Sequence, residues 1–248
     1  MPPPPPGSLF GRGDLVDEIV GHAECHRSIA LIGAGGIGKT SIARAVLHDD
    51  RVKNHFGKNR RFIFCGKLLA NHNQFLHRLS EVIGAGIENP KDLAALRPFL
   101  ASRKILIVLD NAESILDQER PGAREIFNDV EELAQSEKIC LLITSRIFTI
   151  PTDCETFDIP ILSLEASRDA FHRIYKRGER SSSIDEVLEQ LEFHPLSITL
   201  LATVAQQNTW DTEQLIAEWS SERTAALDAG VSGSLAKTIE LSLTSPKF

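Results

Sequence analysis

IALIGAGGIGKTSI, residues 29–42, is a short apolar run followed by a glycine-rich turn, a Lys-Thr pair and the start of a helical pattern. Gly33 and Gly38 with Lys39 and Thr40 satisfy G-x-x-x-x-G-K-[ST], a turn whose backbone amides close around a phosphate chain. The candidate contacts are Gly33, Gly35, Gly36, Ile37, Gly38, Lys39, Thr40 and Ser41. The helix that follows aims its unpaired N–H groups and positive dipole end at the same anion. Lys39 supplies a mobile charge for the β- and γ-phosphates, and Thr40 a hydroxyl suited to Mg²⁺, which prefers hard oxygen ligands.

Outward from this stretch, apolar runs and helical patterns alternate. Strands are expected at 28–32, 61–65, 104–110, 139–144 and 157–162, with helices at 14–24, from the turn to 47, and at 73–83, 92–101 and 112–135, the last broken at 121–122. The run ILIVLD is apolar throughout before its acid, as in a parallel strand buried on both faces. This alternation predicts an α/β fold with a parallel sheet flanked by helices and right-handed crossovers. After residue 163 only helical patterns remain, at 164–177, 184–191, 195–207, 212–227 and 232–243. The organisation expected is a proline-rich linker over 1–8, a nucleotide-binding domain over 9–163, a small helical domain over 164–210, and a further, truncated domain from 211. Pro2 to Pro6 form an unbroken proline run, read as a stiff extended spacer. Asp14 is a favourable cap for the first helix.

Composition bounds the function. The chain has 248 residues, 42% hydrophobic and 25% charged, with a net charge of −7. That balance gives no basic footprint for direct nucleic-acid binding; Lys53, Lys58, Arg60 and Arg61 make one small cluster, read as a solvated face. Four cysteines, Cys25, Cys65, Cys140 and Cys154, form no C-x-x-C pair and read as free thiols of a reducing compartment. No apolar run approaches the roughly 20 residues of a membrane span, and no signal-peptide core stands at the start. A cytoplasmic location is expected.

A phosphate loop needs an acid for Mg²⁺ at the C-terminal end of a buried strand. Asp110 ends ILIVLD and fits, sharing the metal with Thr40 and acting through a water. Hydrolysis further needs a group that orients or deprotonates water. Asn111 cannot serve as a base, and Glu113 is the nearest acid; it also suits the first turn of a helix. Arg146 follows the strand ending Thr144-Ser145 and is either a surface arginine or a bidentate reader of the γ-phosphate.

Together these residues resemble the signal-transducing NTPases with numerous domains (STAND), the class of the NACHT and NB-ARC modules. The likeness is closest to NB-ARC-like modules of NOD-like receptors, including fungal ones, and covers nearly the whole chain after the prolines. GAGGIGKTSIA resembles that family's phosphate loop, ILIVLDNAE its metal-binding strand and LLITSR its first sensor, with Arg146 as the sensor residue. Phe10-Gly11-Arg12 resembles the opening motif, which implies that Phe10 and Arg12 border the adenine and ribose. LEFHPLSITLLA resembles the G-x-P-L motif, implying that Pro195, followed by Leu196, packs on the adenine.

The resemblance implies an ADP/ATP-dependent, Mg²⁺-requiring switch with slow hydrolysis, oligomerising on activation and monomeric as a fragment. Effector and sensor domains would lie outside the chain, and a winged-helix domain would begin at 211. Two departures stand out: Asn111 occupies the place of a second acid, and Phe193 that of the motif glycine. The guanine-specificity pattern N-K-x-D is absent, which favours adenine. A turnover P-loop ATPase and the nucleotide module of a transcription regulator are the alternatives.

Overall fold

The computed structural model of the chain describes residues 2–66, 71–117, 122–177 and 182–228. The chain divides into two compact units, one running to Ile159 and the other from Pro160.

The first unit is a five-stranded sheet of β1 (Ser28–Ile32), β2 (Arg60–Phe64), β3 (Ile105–Asp110), β4 (Ile139–Ser145) and β5 (Cys154–Asp158), in the order β2-β3-β4-β1-β5. Every pairing is parallel, with Ile29 opposite Leu142 and Val108 opposite Leu142 fixing the central register. The strands β1, β3 and β4 are buried at every position. That is why their sequences are nearly unbroken apolar runs: a strand covered on both faces has no solvent side to be polar on. Successive side chains point to opposite faces. Leu31, Val108 and Leu142 therefore pack with Ile19, Ile42, Val46 and Val52 on one side. Ile107, Leu109 and Ile143 pack with Phe75, Leu79 and Val130 on the other.

The helices over these faces are α1 (Gly13–Glu24), α2 (Lys39–His48), α3 (Asp50–Phe56), α4 (His72–Ile83), α5 (Arg97–Ala101), α6 (Glu113–Leu116) and α7 (Ala123–Ala134). Several differ from the sequence expectation. The first helix begins at Gly13, so Asp14 lies in its first turn and is not its cap; the cap position is Arg12, whose side chain makes no capping bond. The helix expected at 92–101 is a 3-10 turn over Leu93–Leu96, capped by Asp92, followed by α5 with a proline in its first turn. Helix α3 escapes periodicity because it is only 7 residues long; Asp49 breaks the chain from α2 in an extended conformation and caps α3 by accepting from the Arg51 amide.

The proline run is not a detached spacer. Polyproline carbonyls have no internal partners, and here they are taken by α2: Arg44 donates to Pro4 at 2.7 Å and Pro5 at 3.1 Å, and His48 Nε2 lies 2.6 Å from the Pro3 oxygen. The basic cluster is largely tied down as well. Lys53 pairs with Asp50, Arg60 donates to the Gly57 and Leu47 carbonyls, and Arg61 donates to Lys58. All four cysteines are free thiols; Cys65, just past the end of β2, and Cys140, within β4, are buried, and Cys25 is exposed.

The second unit contains α8 (Leu164–Ile174), α9 (Ser182–Gln190), α10 (Pro195–Gln207) and α11 (Thr212–Asp228). The boundary falls before residue 163 because the chain already joins this unit at Leu162, whose amide donates to the Phe193 carbonyl. Arg168 and Asp185 bridge α8 and α9 with two bonds of 2.6 and 2.5 Å. Tyr175, fully buried, donates to the Trp210 carbonyl, and Trp219 Nε1 donates to Gln190 at 2.9 Å. Helix α11 thus packs into this unit through Leu215 and Trp219. Residues 229–248, where the last helix at 232–243 and most of a winged-helix start are expected, lie outside the described residues, as do Pro121 and Ser181. Among the described residues no helix is long and apolar enough to cross a membrane.

One contact makes the first unit sensitive to pH. His26, with φ of 56°, places its Nε2 2.8 Å from Nε2 of His55, joining the end of α1 to α3. Desolvation by burial, reinforced by Lys104, lowers both imidazoles below their ordinary range. The unfolded chain then binds protons that the folded one refuses, so this contribution is complete above pH ~7 and falls as pH drops through about 6.5. Urea midpoints should fall between pH 7.5 and 5.5, and His26→Asn, which tolerates the left-handed backbone, should shrink that fall.

Candidate nucleotide-binding site

The loop between β1 and α2 follows from the local sequence. Ile32 ends a fully buried strand, and α2 starts at Lys39 with Gly38 as its N-cap at φ 105°. A side chain at Gly38 would be strained at that φ. Its carbonyl accepts from the Ile42 amide at 3.0 Å, closing the first helical turn. Ile37 turns inward: its side chain joins the core beside Ile42 and Val46, so only its backbone is left to face a ligand. Lys39 is buried, and its ammonium donates to the Gly33 carbonyl at 2.7 Å and the Ala34 carbonyl at 2.8 Å. The lysine thus lies across its own loop. Burial lowers its pKa, Arg146 adds to the lowering, and Glu113 and Asp110 oppose it.

The parallel sheet brings the ends of three other strands to the same edge. A pocket of about 270 Å³ is lined by the loop and first turn of α2, Asp110 at the end of β3, Asn111 and Glu113 just after it, Thr144 and Arg146 at the end of β4, and Phe64 at the end of β2. Gly35, Gly36, Gly38, Lys39, Thr40 and Ser41 all reach it, as do the three candidates Asp110, Glu113 and Arg146. Gly33 contributes through its carbonyl, which receives Lys39. Phe10 and Arg12 do not line it; Arg12 is buried and its pKa is lowered by that burial. Pro195 and Leu196 belong to the helical unit, where Pro195 opens α10 and Leu196 is exposed.

The two candidate metal ligands touch each other: Thr40 Oγ1 donates to Asp110 Oδ1 at 2.8 Å. Arg146 Nε pairs with Glu113 Oε1 at 3.2 Å, and the guanidinium lies so close to Gly35 that an added Cβ would stand 3.1 Å from its central carbon. The other Glu113 oxygen, Oε2, is buried with no hydrogen-bond partner. Asn111 takes φ of 61°, and its side chain donates to Ser114 at 2.9 Å.

Two lining residues were missed. Phe64 reads in sequence as one more strand residue, yet it ends an edge strand and is 53% exposed. Thr144 reads in sequence as the end of a strand, two residues before Arg146; its place beside Asp110 is set by strand register, which sequence does not display.

The donor set suits a magnesium nucleotide. Mg²⁺ takes one or two carboxylates, a hydroxyl and phosphate oxygens, and Thr40, Asp110 and the orphaned Glu113 oxygen are hard oxygens at one pocket. Lys39 and the loop glycines Gly35, Gly36 and Gly38 line that same pocket, where a phosphate chain would lie.

Comparison with known proteins agrees. Residues 7–155 match the family described as Novel STAND NTPase 1. The chain is 30% identical over 199 residues to the probable disease resistance RPP8-like protein 4 of Arabidopsis thaliana, covering 74% of this chain and 21% of that protein. It is 30% identical over 208 residues to the regulatory protein AfsR of Streptomyces griseus, covering 78% and 20%. It thus spans about a fifth of the length of these curated relatives. Among solved structures it is similar to the STAND protein with a tetratricopeptide repeat sensor PH0952 from Pyrococcus horikoshii, with a TM-score of 0.56 and 15% identity, over 81% of this chain and 31% of that one. At that identity the likeness shows the fold: the same parallel α/β architecture. With the family match extending over more than half of its residues, the chain belongs to the Novel STAND NTPase 1 family and is a nucleotide-binding, STAND-class P-loop NTPase.

Proposed function

We propose that the chain is the nucleotide-operated switch of a larger signalling protein, binding ADP or ATP with Mg²⁺ and hydrolysing ATP slowly. The observation that carries this reading is the Arg146–Glu113 pair at the edge of the pocket. A terminal phosphate offers Arg146 a second, bidentate partner. One side chain then has two alternative arrangements that a triphosphate and a diphosphate bias differently, which is what a switch requires.

The residues divide the work. Lys39 and the loop amides neutralise the phosphate chain. Thr40 and Asp110 hold Mg²⁺, which when bound supplies positive charge at the phosphate oxygens. Glu113 is the acid placed to orient water, but in this arrangement it is spent on Arg146. Asn111 cannot accept a proton, and its amide is engaged with Ser114. Both facts favour slow turnover. Phe10 and Arg12 on one side, and Pro195 and Leu196 on the other, are proposed to grip the adenine and ribose. Assembly into an oligomer on ATP binding, partnered effector and sensor domains and a cytoplasmic setting belong to the same proposal. Disease resistance and regulatory proteins among the relatives fit it.

Nucleotide released on denaturing the purified chain should be ADP by chromatography and mass. Steady-state hydrolysis should stay below about one per minute, nearer unassisted nucleotide switches than the ~10 s⁻¹ of a typical enzyme. A rate well above that would replace the switch with a turnover ATPase. That rival draws on the unpartnered Glu113 Oε2, and unchanged hydrolysis in Glu113→Gln would remove Glu113 from the chemistry.

A further inference from the structure

We propose that Thr144 is a positioning residue of the metal site, acting through Asp110; the inference rests on the magnesium-nucleotide reading of that pocket. Thr144 lies near the end of β4, one residue beyond Ile143, which is registered opposite Leu109, and this brings it level with Asp110. Its side chain is 2% exposed. The hydroxyl donates to Asp110 Oδ1 at 2.7 Å and accepts from the Asn111 amide at 3.0 Å. A hydroxyl has one proton to give, so Thr144 has none left for a phosphate or a water. Its chemistry is directed at the acid and at the backbone following it.

Thr40 Oγ1 donates to the same Oδ1 at 2.8 Å, so two hydroxyl protons converge on one carboxylate oxygen and fill both its lone pairs. The two donors are not equivalent. Thr40 is the hydroxyl that would ligate Mg²⁺. With Thr40 so engaged, Thr144 would be the donor left to keep the Asp110 carboxylate from rotating. The carbonyl of Thr144 also accepts from the Ala112 amide at 2.9 Å. Together with the bond from the Asn111 amide, this clamps the turn after β3 to the end of β4. That clamp holds Asn111 at its positive φ and aims the chain toward Glu113. Buried groups that orient metal ligands in this way typically set metal affinity by ~10–100-fold.

The test is nucleotide affinity by calorimetry, with Mg²⁺ and with EDTA, for the unsubstituted chain, Thr144→Val and Thr144→Ser. The unsubstituted chain binds more tightly with Mg²⁺. Thr144→Val, isosteric but without the hydroxyl, loses ~10–100-fold of affinity in Mg²⁺ and less than about twofold in EDTA. Thr144→Ser keeps the hydroxyl and stays within about twofold in both. An equal loss in both conditions would make Thr144 a structural residue only and overturn the inference, as would a Thr144→Val chain that keeps the Mg²⁺ gain. Should Thr144→Val fail to fold, loss of the Mg²⁺ gain in folded Thr144→Ser overturns it too. An unsubstituted chain indifferent to Mg²⁺ would overturn the metal-site reading itself, and the inference with it.

Discussion

Lys39→Ala is expected to weaken nucleotide binding by about a hundredfold or more, from two charged hydrogen bonds at ~1.5–3 kcal/mol each and ~1.4 kcal/mol per decade. The geometry explains the size. Lys39 is 9% exposed, and its desolvation is already reflected in a lowered pKa. A phosphate beside it adds counter-charge in place of the water that burial has removed. The ammonium also ties Gly33 and Ala34 across the loop, so its removal loosens the cradle as well as the charge. Lys39→Arg should not rescue binding: a planar guanidinium is larger and cannot rotate its donors like an ammonium in a buried slot. Calorimetry on a chain with unchanged circular dichroism is the check; unchanged affinity would remove the phosphate site from the account.

Leu142→Ala is the largest expected effect on stability, roughly 2–5 kcal/mol. Leu142 is fully buried on the strand at the centre of the sheet, registered against Ile29 on one neighbour and Val108 on the other. Strands on both sides and helices above leave little freedom to collapse onto the cavity. With an m-value near 2 kcal/mol per molar urea, the midpoint for the α/β unit should fall by roughly 1–2.5 M in far-ultraviolet circular dichroism. A shift below about 0.3 M would contradict the layering.

The elements legible in sequence were those in which one physical demand governs many consecutive residues. Burial on both faces made β1, β3 and β4 plain, and a fixed spacing of glycines with Lys39 and Thr40 made the phosphate loop plain. Asp110 followed, because acids ending buried strands sit where open sheets bind ligands. What was hidden depends on neighbours distant in the chain. The pairing of Arg146 with Glu113, the hydrogen bond from Thr144 to Asp110 and the docking of the prolines on Arg44 and His48 are set by register and packing. Helix α3 was hidden by shortness and mixed charge, and Ile37 by a motif that marks the whole loop as ligand-facing while one side chain anchors it to the core.

The aromatic inventory of the helical unit has an optical consequence. The chain has 2 tryptophans and 1 tyrosine, and Trp210, Trp219 and Tyr175 all fall after Pro160. Intrinsic emission therefore originates entirely in the helical unit, while the phosphate loop belongs to the other. A spectral change on adding nucleotide reads the response of the second unit to events at the first, with no label attached. In denaturant, emission follows α8 to α11 alone, so comparing it with a backbone signal separates the melting of the helical unit from that of the α/β unit.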